Sequence, residues 1–228
     1  MTTPAPLLGE PLAVELMNTV WADRGDVHDE LATTRRAETW LAAVRDRFAP
    51  QPADVTAWLA EPTLDPDDLG RLRELRDALR HLAAEATDDP RPAAAPPADP
   101  RPTADAEPDP PATARPGRAD SALDRARALR ILGHSCAAAR PWSSLVWAEG
   151  EHPRRERHGD APPAPTVVAA LAEQGVELFA GDQELRACPG PGCVLYFVKR
   201  HPRREWCSAG CGNRARVARH YRRHRAQA

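Results

Sequence analysis

The chain has 228 residues and a net charge of -2, which allows one larger domain and one small domain. Residues 181–228 carry eleven Lys and Arg against three Asp and Glu, whereas the other 180 residues carry twenty against thirty. An electropositive C-terminal segment therefore follows an acidic body, which bears on the charge of its partners. We see no basic leader and no long apolar stretch, so we expect a cytoplasmic protein with no membrane segment.

The first ninety residues predict a mainly helical domain. We expect a helix over about 34–48 and a shorter one over 55–59, with Asp54 as its N-cap. The clearest helix begins at Asp65-Pro66, because an N-cap and a proline at the first helical position occur together. Its apolar residues recur every three or four positions, which is typical of core packing; they are Leu69, Leu72, Leu75, Leu79, Leu82 and Ala86.

Residues 87–120 interrupt this pattern. Ten of these 34 residues are proline and nine are alanine, a composition that cannot form a packed core. We interpret the segment as a disordered or polyproline-like insertion within one domain. A helix with a Ser121-x-x-Asp124 cap then follows, and we expect it to pack against the Leu72–Leu82 helix.

The rest of the body predicts one hairpin and one helix. Residues 142–147 read as a strand of a hairpin with an irregular loop. Thr166 is a candidate N-cap for a helix that ends at Gly181. Near the N-terminus, Asn18, Thr19 and the polar loop at 23–26 are candidate ligand contacts, with a helix end and an ordinary turn as the alternative.

Four cysteines lie in the last forty-one residues, as Cys188-x4-Cys193-x13-Cys207-x3-Cys211. Two close pairs separated by a short span are typical of a tetrahedral metal site, and a reducing compartment favours metal over disulfides. Four thiolates close the coordination sphere, so the sequence predicts one structural Zn²⁺, with iron as the alternative metal. A fifth cysteine, Cys136, reads as a small core residue.

Histidines offer other ligand sets. His201 could replace one cysteine, and His220 and His224 have the spacing of zinc-finger ligands. The residues between the cysteine pairs alternate like a strand, and we expect them to form a hairpin that turns at residues 201–204. The predicted module is a metal knuckle, this hairpin and the first turn of the last helix, an arrangement like a treble clef. Without metal it has little core and should unfold.

A strongly basic helix follows Cys211. We expect Val217 and Tyr221 to pack against the hairpin and the arginines to face outward, where guanidinium groups match phosphate oxygens. The predicted nucleic-acid contacts are Arg203, Arg204, Arg214, Arg216, Arg219, Arg222 and Arg223. An acidic protein partner, RNA, or a merely solvated helix end are the alternatives.

The string from Cys207 to Arg214, CSAGCGNR, resembles the signature of the CGNR zinc finger family of bacterial proteins. The resemblance extends to Trp206, to Arg203-Arg204 and to the Cys188/Cys193 knuckle. The N-terminal part resembles the ABATE domain that accompanies this finger. That resemblance rests on its Asn-Thr element within Leu16-Met17-Asn18-Thr19-Val20 and on two helical strings, Trp40-Leu41 and Leu72-Arg73-Glu74-Leu75-Arg76.

The resemblance implies a stress-induced transcription regulator with a DNA-binding treble clef. We therefore predict an α+β fold: a mainly helical ABATE-like domain with a small β hairpin over 1–181, and a treble-clef-like zinc finger over 182–228. DNA is the expected partner, and the N-terminal domain is expected to sense a small-molecule effector or to mediate homodimer assembly. We find no P-loop, dinucleotide fingerprint or G-x-S-x-G motif, so we do not expect an enzyme.

Overall fold

The computed structural model describes residues 4–23, 25–90 and 123–225, without the side chains of Tyr221, Arg222, His224 and Arg225. Most of the predicted insertion, residues 91–120, lies outside this description, as does Ser121.

The described residues contain seven α-helices, one short 3₁₀ helix (Arg45–Arg47) and three two-stranded antiparallel hairpins. The helices are α1 (Leu12–Met17), α2 (Thr34–Val44), α3 (Ala53–Ala60), α4 (Pro66–Ala86), α5 (Arg125–Cys136), α6 (Pro163–Ala180) and α7 (Ala209–Arg225). The hairpins are β1 (Val20–Asp23) with β2 (Asp26–Asp29), β3 (Trp142–Val146) with β4 (Arg154–His158), and β5 (Leu185–Ala187) with β6 (Tyr196–Val198). None of the described helices combines the length and the apolar character that crossing a membrane requires. The predicted α+β class is confirmed.

The predicted start of α4 is confirmed in detail, whereas α5 begins after Asp124, three residues beyond the Ser121 of the predicted cap. The Asp65 side chain accepts a hydrogen bond from the Asp68 N–H at 2.7 Å, and Pro66 occupies the first position of α4. The Asp124 side chain accepts one from the Arg127 N–H at 2.7 Å at the start of α5. These side chains satisfy amides that have no carbonyl partner within the helix.

Two other predicted caps are wrong. Asp54 lies inside α3, which begins at Ala53, and Thr166 lies inside α6, which begins at Pro163. In both cases the helix starts earlier, after a proline with extended backbone. The Thr166 hydroxyl donates to the Pro162 carbonyl at 3.0 Å instead of accepting from an amide.

The sequence does not predict the β1–β2 hairpin. Its strands have four residues each and show no clear alternation of apolar and polar positions, the usual signal for a strand. Trp21 and His28 stand opposite each other in the register, with ring centroids 4.4 Å apart. Stacking of this cross-strand pair stabilises a hairpin that the sequence pattern does not indicate.

The short helix α1 lies at the centre of the body. All six of its residues are buried, and it packs against α4 and α6. Five residues of the predicted apolar stripe of α4, from Leu69 to Leu82, face this core, with Leu75 and Leu79 fully buried, whereas Ala86 is exposed. Helix α5 packs against α4, as predicted, so the chain on either side of residues 91–122 belongs to one helical layer.

Side chains of α4 and α5 pack closely against α6 at Gly175. A Cβ added there would lie 2.6 Å from Leu79 Cδ2 and 3.4 Å from Leu132 Cδ1, both in side chains that are at most 5% exposed. Because interiors are packed at the density of organic crystals, neither leucine can move freely away.

We therefore expect Gly175→Ala to lower the free energy of unfolding by about 1–3 kcal/mol, as overpacking does. Gly133→Ala in α5 is the matched control, because its Cβ meets nothing within 4 Å. The control should gain up to about 1 kcal/mol from better helix propensity. Urea denaturation measures both, and equal stability of the two variants would contradict this packing.

Candidate metal centre

The first cysteine pair lies at the tip of the β5–β6 hairpin. Leu185 stands opposite Val198 and Ala187 opposite Tyr196, and the chain between them turns through Cys188 and Cys193. The Cys188 N–H donates to the Leu195 carbonyl at 2.9 Å, which closes the turn. The hairpin therefore spans the first cysteine pair. The predicted position between the two pairs is wrong, because the described residues 199–208 form no strand.

The second pair comes from the chain leading into α7. Cys207 precedes the helix, and Cys211 lies in its first turn. Trp206 packs beside Gly212, where an added Cβ would meet the indole ring at 3.1 Å. The glycine of the Cys-Gly-Asn-Arg string is thus explained by the close approach of the tryptophan.

The four cysteine sulfur atoms lie within 4.8 Å of one another, and all four residues are buried. The Sγ of Cys207 lies 3.8 Å from that of Cys193 and 3.3 Å from that of Cys211. These separations exceed the roughly 2.05 Å of a disulfide bond. They approach the edge of about 3.8 Å that a tetrahedron with Zn–S bonds of about 2.3 Å requires.

The electrostatics of the cluster also fit a cation. Hydrogen bonds from Cys193 and Cys207 hold the pKa of the Cys188 thiol at about 2, well below its usual range. The hydrogen bonds with Cys188 raise the pKa of the Cys193 thiol to about 12 and raise the pKa of the Cys207 thiol further. Hydrogen bonds between the thiols therefore keep few of the four cysteines deprotonated, whereas a divalent cation stabilises the thiolate form of all four.

The donor set fits one structural Zn²⁺, held by Cys188, Cys193, Cys207 and Cys211. Four thiolates leave no position for water or substrate, so the ion's contribution is to hold the chain together. Among the described residues, no histidine joins this cluster, and His201 is exposed. The side chain of His224 lies outside the description.

A buried carboxylate joins the metal site to the helical body. Glu10 is 0% exposed; its Oε2 accepts from the Val198 N–H at 3.0 Å, and its Oε1 accepts from the Arg204 guanidinium. Arg204 also donates to the carbonyl of the zinc ligand Cys207 at 3.0 Å, and its Cζ lies 4.9 Å from the Phe197 ring centroid. We name this arrangement the Glu10–Arg204 latch.

A second set of contacts runs from the body to β6. The Asn18 amide donates to the Tyr196 carbonyl at 2.9 Å and accepts from the Tyr196 N–H at 2.8 Å. Arg80 of α4 donates to the carbonyls of Met17 and Val194, and its Cζ lies 5.3 Å from the Tyr196 ring centroid. Asn18 thus substitutes for a neighbouring strand at the edge of the hairpin.

The hydrophobic contacts cross the same boundary. Tyr196 and Val198 belong to the core of the helical body, while Leu195 and Phe197 belong to the cluster around the cysteines. Because side chains of a strand alternate between its two faces, β6 contributes to both cores. Trp21 of β1 completes the cysteine cluster from the body's side.

The predicted ligand contacts Asn18 and Thr19 lie in the interior. Asn18 is 1% exposed and bonded as described, and the Thr19 hydroxyl donates to the Leu16 carbonyl at 2.7 Å. Neither residue lines a described cavity. The contacts that the structure gives them are internal, and a ligand role for them stays a prediction.

The predicted nucleic-acid contacts divide into two groups. The Arg204 guanidinium takes part in the latch and is bonded inside the protein, so we do not include it in the proposed contact surface. Arg214 donates to Cys211 Sγ at 3.0 Å, which raises the pKa of its guanidinium, although the residue is exposed. The other described members are exposed; they are Arg203, Arg216, Arg219 and Arg223.

The expected packing of Val217 is wrong. Its side chain is 47% exposed, while Cys211, Gly212 and Ala215 hold the start of α7 against the metal site. A residue two positions beyond Ala215 is rotated by about 200° around the helix, onto the opposite face. The described part of α7 after Ala215 is therefore largely solvated.

Sequence reasoning missed Glu10 and Arg80. A single carboxylate in the otherwise apolar stretch LLGEPLAV was the available signal for Glu10, because a charge in such a segment is buried only with a partner. Arg80 has no comparable signal, since it is one of several charged residues spread along α4.

The latch predicts strong coupling between its two side chains. Arg204→Met leaves the buried Glu10 carboxylate without its cation, so we expect a loss of about 3–5 kcal/mol in the free energy of unfolding. In Glu10→Gln/Arg204→Met the charge and its partner are removed together, and the loss should be clearly smaller than the sum of the single losses. Additive effects in this denaturation cycle would contradict the latch.

The metal site predicts one zinc ion per chain. Cys207→Ala/Cys211→Ala should lose the ion and the order of the segment from Leu185 onward, because two thiolates cannot close the site. Cys136→Ala is the matched control: burial, with Glu173 nearby, raises the pKa of that thiol to about 11, and it lies outside the cluster. Metal analysis and circular dichroism read out both; zinc at one per chain in the double variant contradicts the assignment.

The chain matches two family models. Residues 184–224 match the CGNR zinc finger, and residues 10–182 match ABATE, described as "Putative stress-induced transcription regulator". No curated protein matches the chain. The families found are of regulator and zinc finger kinds, not enzyme families. The chain belongs to the ABATE family of transcription regulators and carries a C-terminal CGNR zinc finger.

Proposed function

We propose that the protein binds DNA through helix α7 and that its N-terminal domain senses a ligand that controls this binding. The single observation that carries the proposal is the exposed row of arginines on a helix whose first turn holds a zinc ligand. A closed metal site at the helix start fixes the direction of the helix, so the arginines project from a rigid base.

The row has the spacing of one helical face. Arg216, Arg219 and Arg223 follow each other at intervals of three and four residues, and all three are exposed. Helix α7 contains no Asp or Glu that could neutralise them within the helix. Guanidinium groups in such a row suit successive phosphate oxygens of a nucleic-acid backbone.

The docking of the finger supports a regulatory role for the body. The Glu10–Arg204 latch and the Asn18–Tyr196 pair connect α1 and its flanking residues directly to the strand beside the metal site. A ligand that shifted α1 or α4 would therefore act on the finger through packed contacts rather than through a flexible linker.

An acidic protein partner is the second candidate. Val217 places an exposed apolar side chain beside the basic row, which suits a protein surface better than a phosphate backbone. RNA is the third, because the same arginines suit either nucleic acid. Competition by an RNA duplex and by an acidic polypeptide against labelled DNA separates these candidates from the proposed one.

The DNA proposal is tested by fluorescence anisotropy on duplex DNA at several salt concentrations. Arg216→Ala/Arg219→Ala should weaken binding and reduce the slope of log K against log salt by about 0.9 for each phosphate that the protein no longer neutralises. Arg35→Ala/Arg45→Ala removes the same charge from exposed sites on the body and is the matched control. If the α7 variant and the control show the same slope, α7 is not the contact surface.

A further inference from the structure

A cavity of about 690 Å³ lies between α4, α5 and the start of α6. Its polar residues are Arg71 and Glu74 from α4 and Arg127, Arg130, His134 and Ser135 from α5. The volume is within the range of about 300–1,000 Å³ typical of small-molecule sites. No described residue of the metal site or of α7 lines this cavity.

One of the three guanidinium groups at the cavity has no ion pair among the described residues. Arg71 is paired with Asp68 at 2.7 Å, and Arg127 has an interaction partner of its own. Arg130 forms no ion pair with any residue that the structure describes. Its guanidinium suits a single negative charge on a ligand.

The remaining wall is apolar. Ile131 is partly buried, Val168 is 3% exposed, and both line the cavity together with Pro165. Pro165 and Val168 belong to the first two turns of α6, so the positive end of that helix dipole also borders the space. An inorganic anion would leave this apolar wall uncovered.

We propose that the cavity binds a small organic monoanion, a carboxylate with a hydrocarbon body, and that Arg130 is its principal charge contact. The fork of a guanidinium matches a carboxylate bidentately, and the apolar wall covers the rest of the ligand. The proposed ligand class does not depend on the sensing role proposed above. Only the regulatory effect of ligand binding rests on that role.

Helix α4 gives such a ligand a direct connection to the finger. Arg71 and Glu74 contact the cavity near the start of α4, and Arg80 of the same helix donates to the Val194 carbonyl beside β6 at 3.2 Å. Between Arg71 and Arg80 the helix extends about 13 Å, as a single rigid element. A ligand that moves the start of α4 therefore moves a contact of the metal module.

A neighbouring cavity provides an internal control. Its volume is about 480 Å³, and its lining is mostly apolar, with Leu129, Val176 and Phe179 among its residues. Its one arginine, Arg125, is paired with Glu85 at 2.9 Å, so no charge is left over. Arg125 and Arg130 lie on the same helix but border different cavities, which makes Arg125→Gln the matched control.

The test titrates the zinc-loaded full chain with 4-fluorobenzoate and with 4-fluorobenzyl alcohol, observed by ¹⁹F NMR without DNA. The two probes share a ring but only the first is charged. We expect the carboxylate to bind about tenfold more tightly, the gain of a charge-assisted hydrogen bond. Arg130→Gln should remove that advantage and leave the alcohol unchanged, and Arg125→Gln should alter neither. Ala138→Trp, which fills the cavity, should prevent binding of both.

Three results overturn the proposal. They are equal binding of the two probes, no binding of the carboxylate at millimolar concentration, and an equal effect of Arg125→Gln and Arg130→Gln. If inorganic phosphate displaces 4-fluorobenzoate as effectively as unlabelled benzoate does, the ligand needs no hydrocarbon body, and that part of the assignment is overturned. Because no DNA is present, these results are independent of whether α7 binds DNA.

Discussion

The arrangement of this protein depends on one buried charge. The Glu10 carboxylate has no contact with solvent. Transfer of this carboxylate from water to the interior without a partner would cost several kcal/mol. It is compensated by the Arg204 guanidinium and by the Val198 N–H, both of which belong to the metal-binding segment. The helical body is therefore complete only when the finger is docked on it, and the finger is held in place by the body as well as by its metal.

This constraint makes the finger a part of the body rather than a tethered module. Strand β6 contributes Tyr196 and Val198 to the main core and Phe197 to the cluster around the cysteines. Metal binding fixes the hairpin tip, β6 fixes the position of the hairpin, and the latch fixes the chain that leads into Cys207. The described part of α7 after Ala215 is largely solvated, with its described arginines exposed, which is the geometry expected of a contact surface.

Local features of the sequence are enough to predict the ligands, the core face of α4 and the caps at Asp65 and Asp124. Each of these patterns spans a few residues, so periodicity and spacing reveal it. The latch joins residues 194 positions apart, and the Asn18–Tyr196 pair joins residues 178 apart, so no local pattern encodes them. The prediction that Val217 packs against the hairpin is wrong, and the internal bonds of Arg204 were not foreseen, for the same reason: whether such a residue faces solvent depends on the surface against which its segment docks.

Hydrogen–deuterium exchange with and without a zinc chelator tests the shared core most directly. We expect metal removal to increase exchange in the finger and also in residues 8–20, where Glu10 and Asn18 lose their partners. Helix α5, which has no bond to the finger among the described residues, should remain protected. Increased exchange confined to residues 185–225, with residues 8–20 unchanged, would contradict a core shared by the body and the finger.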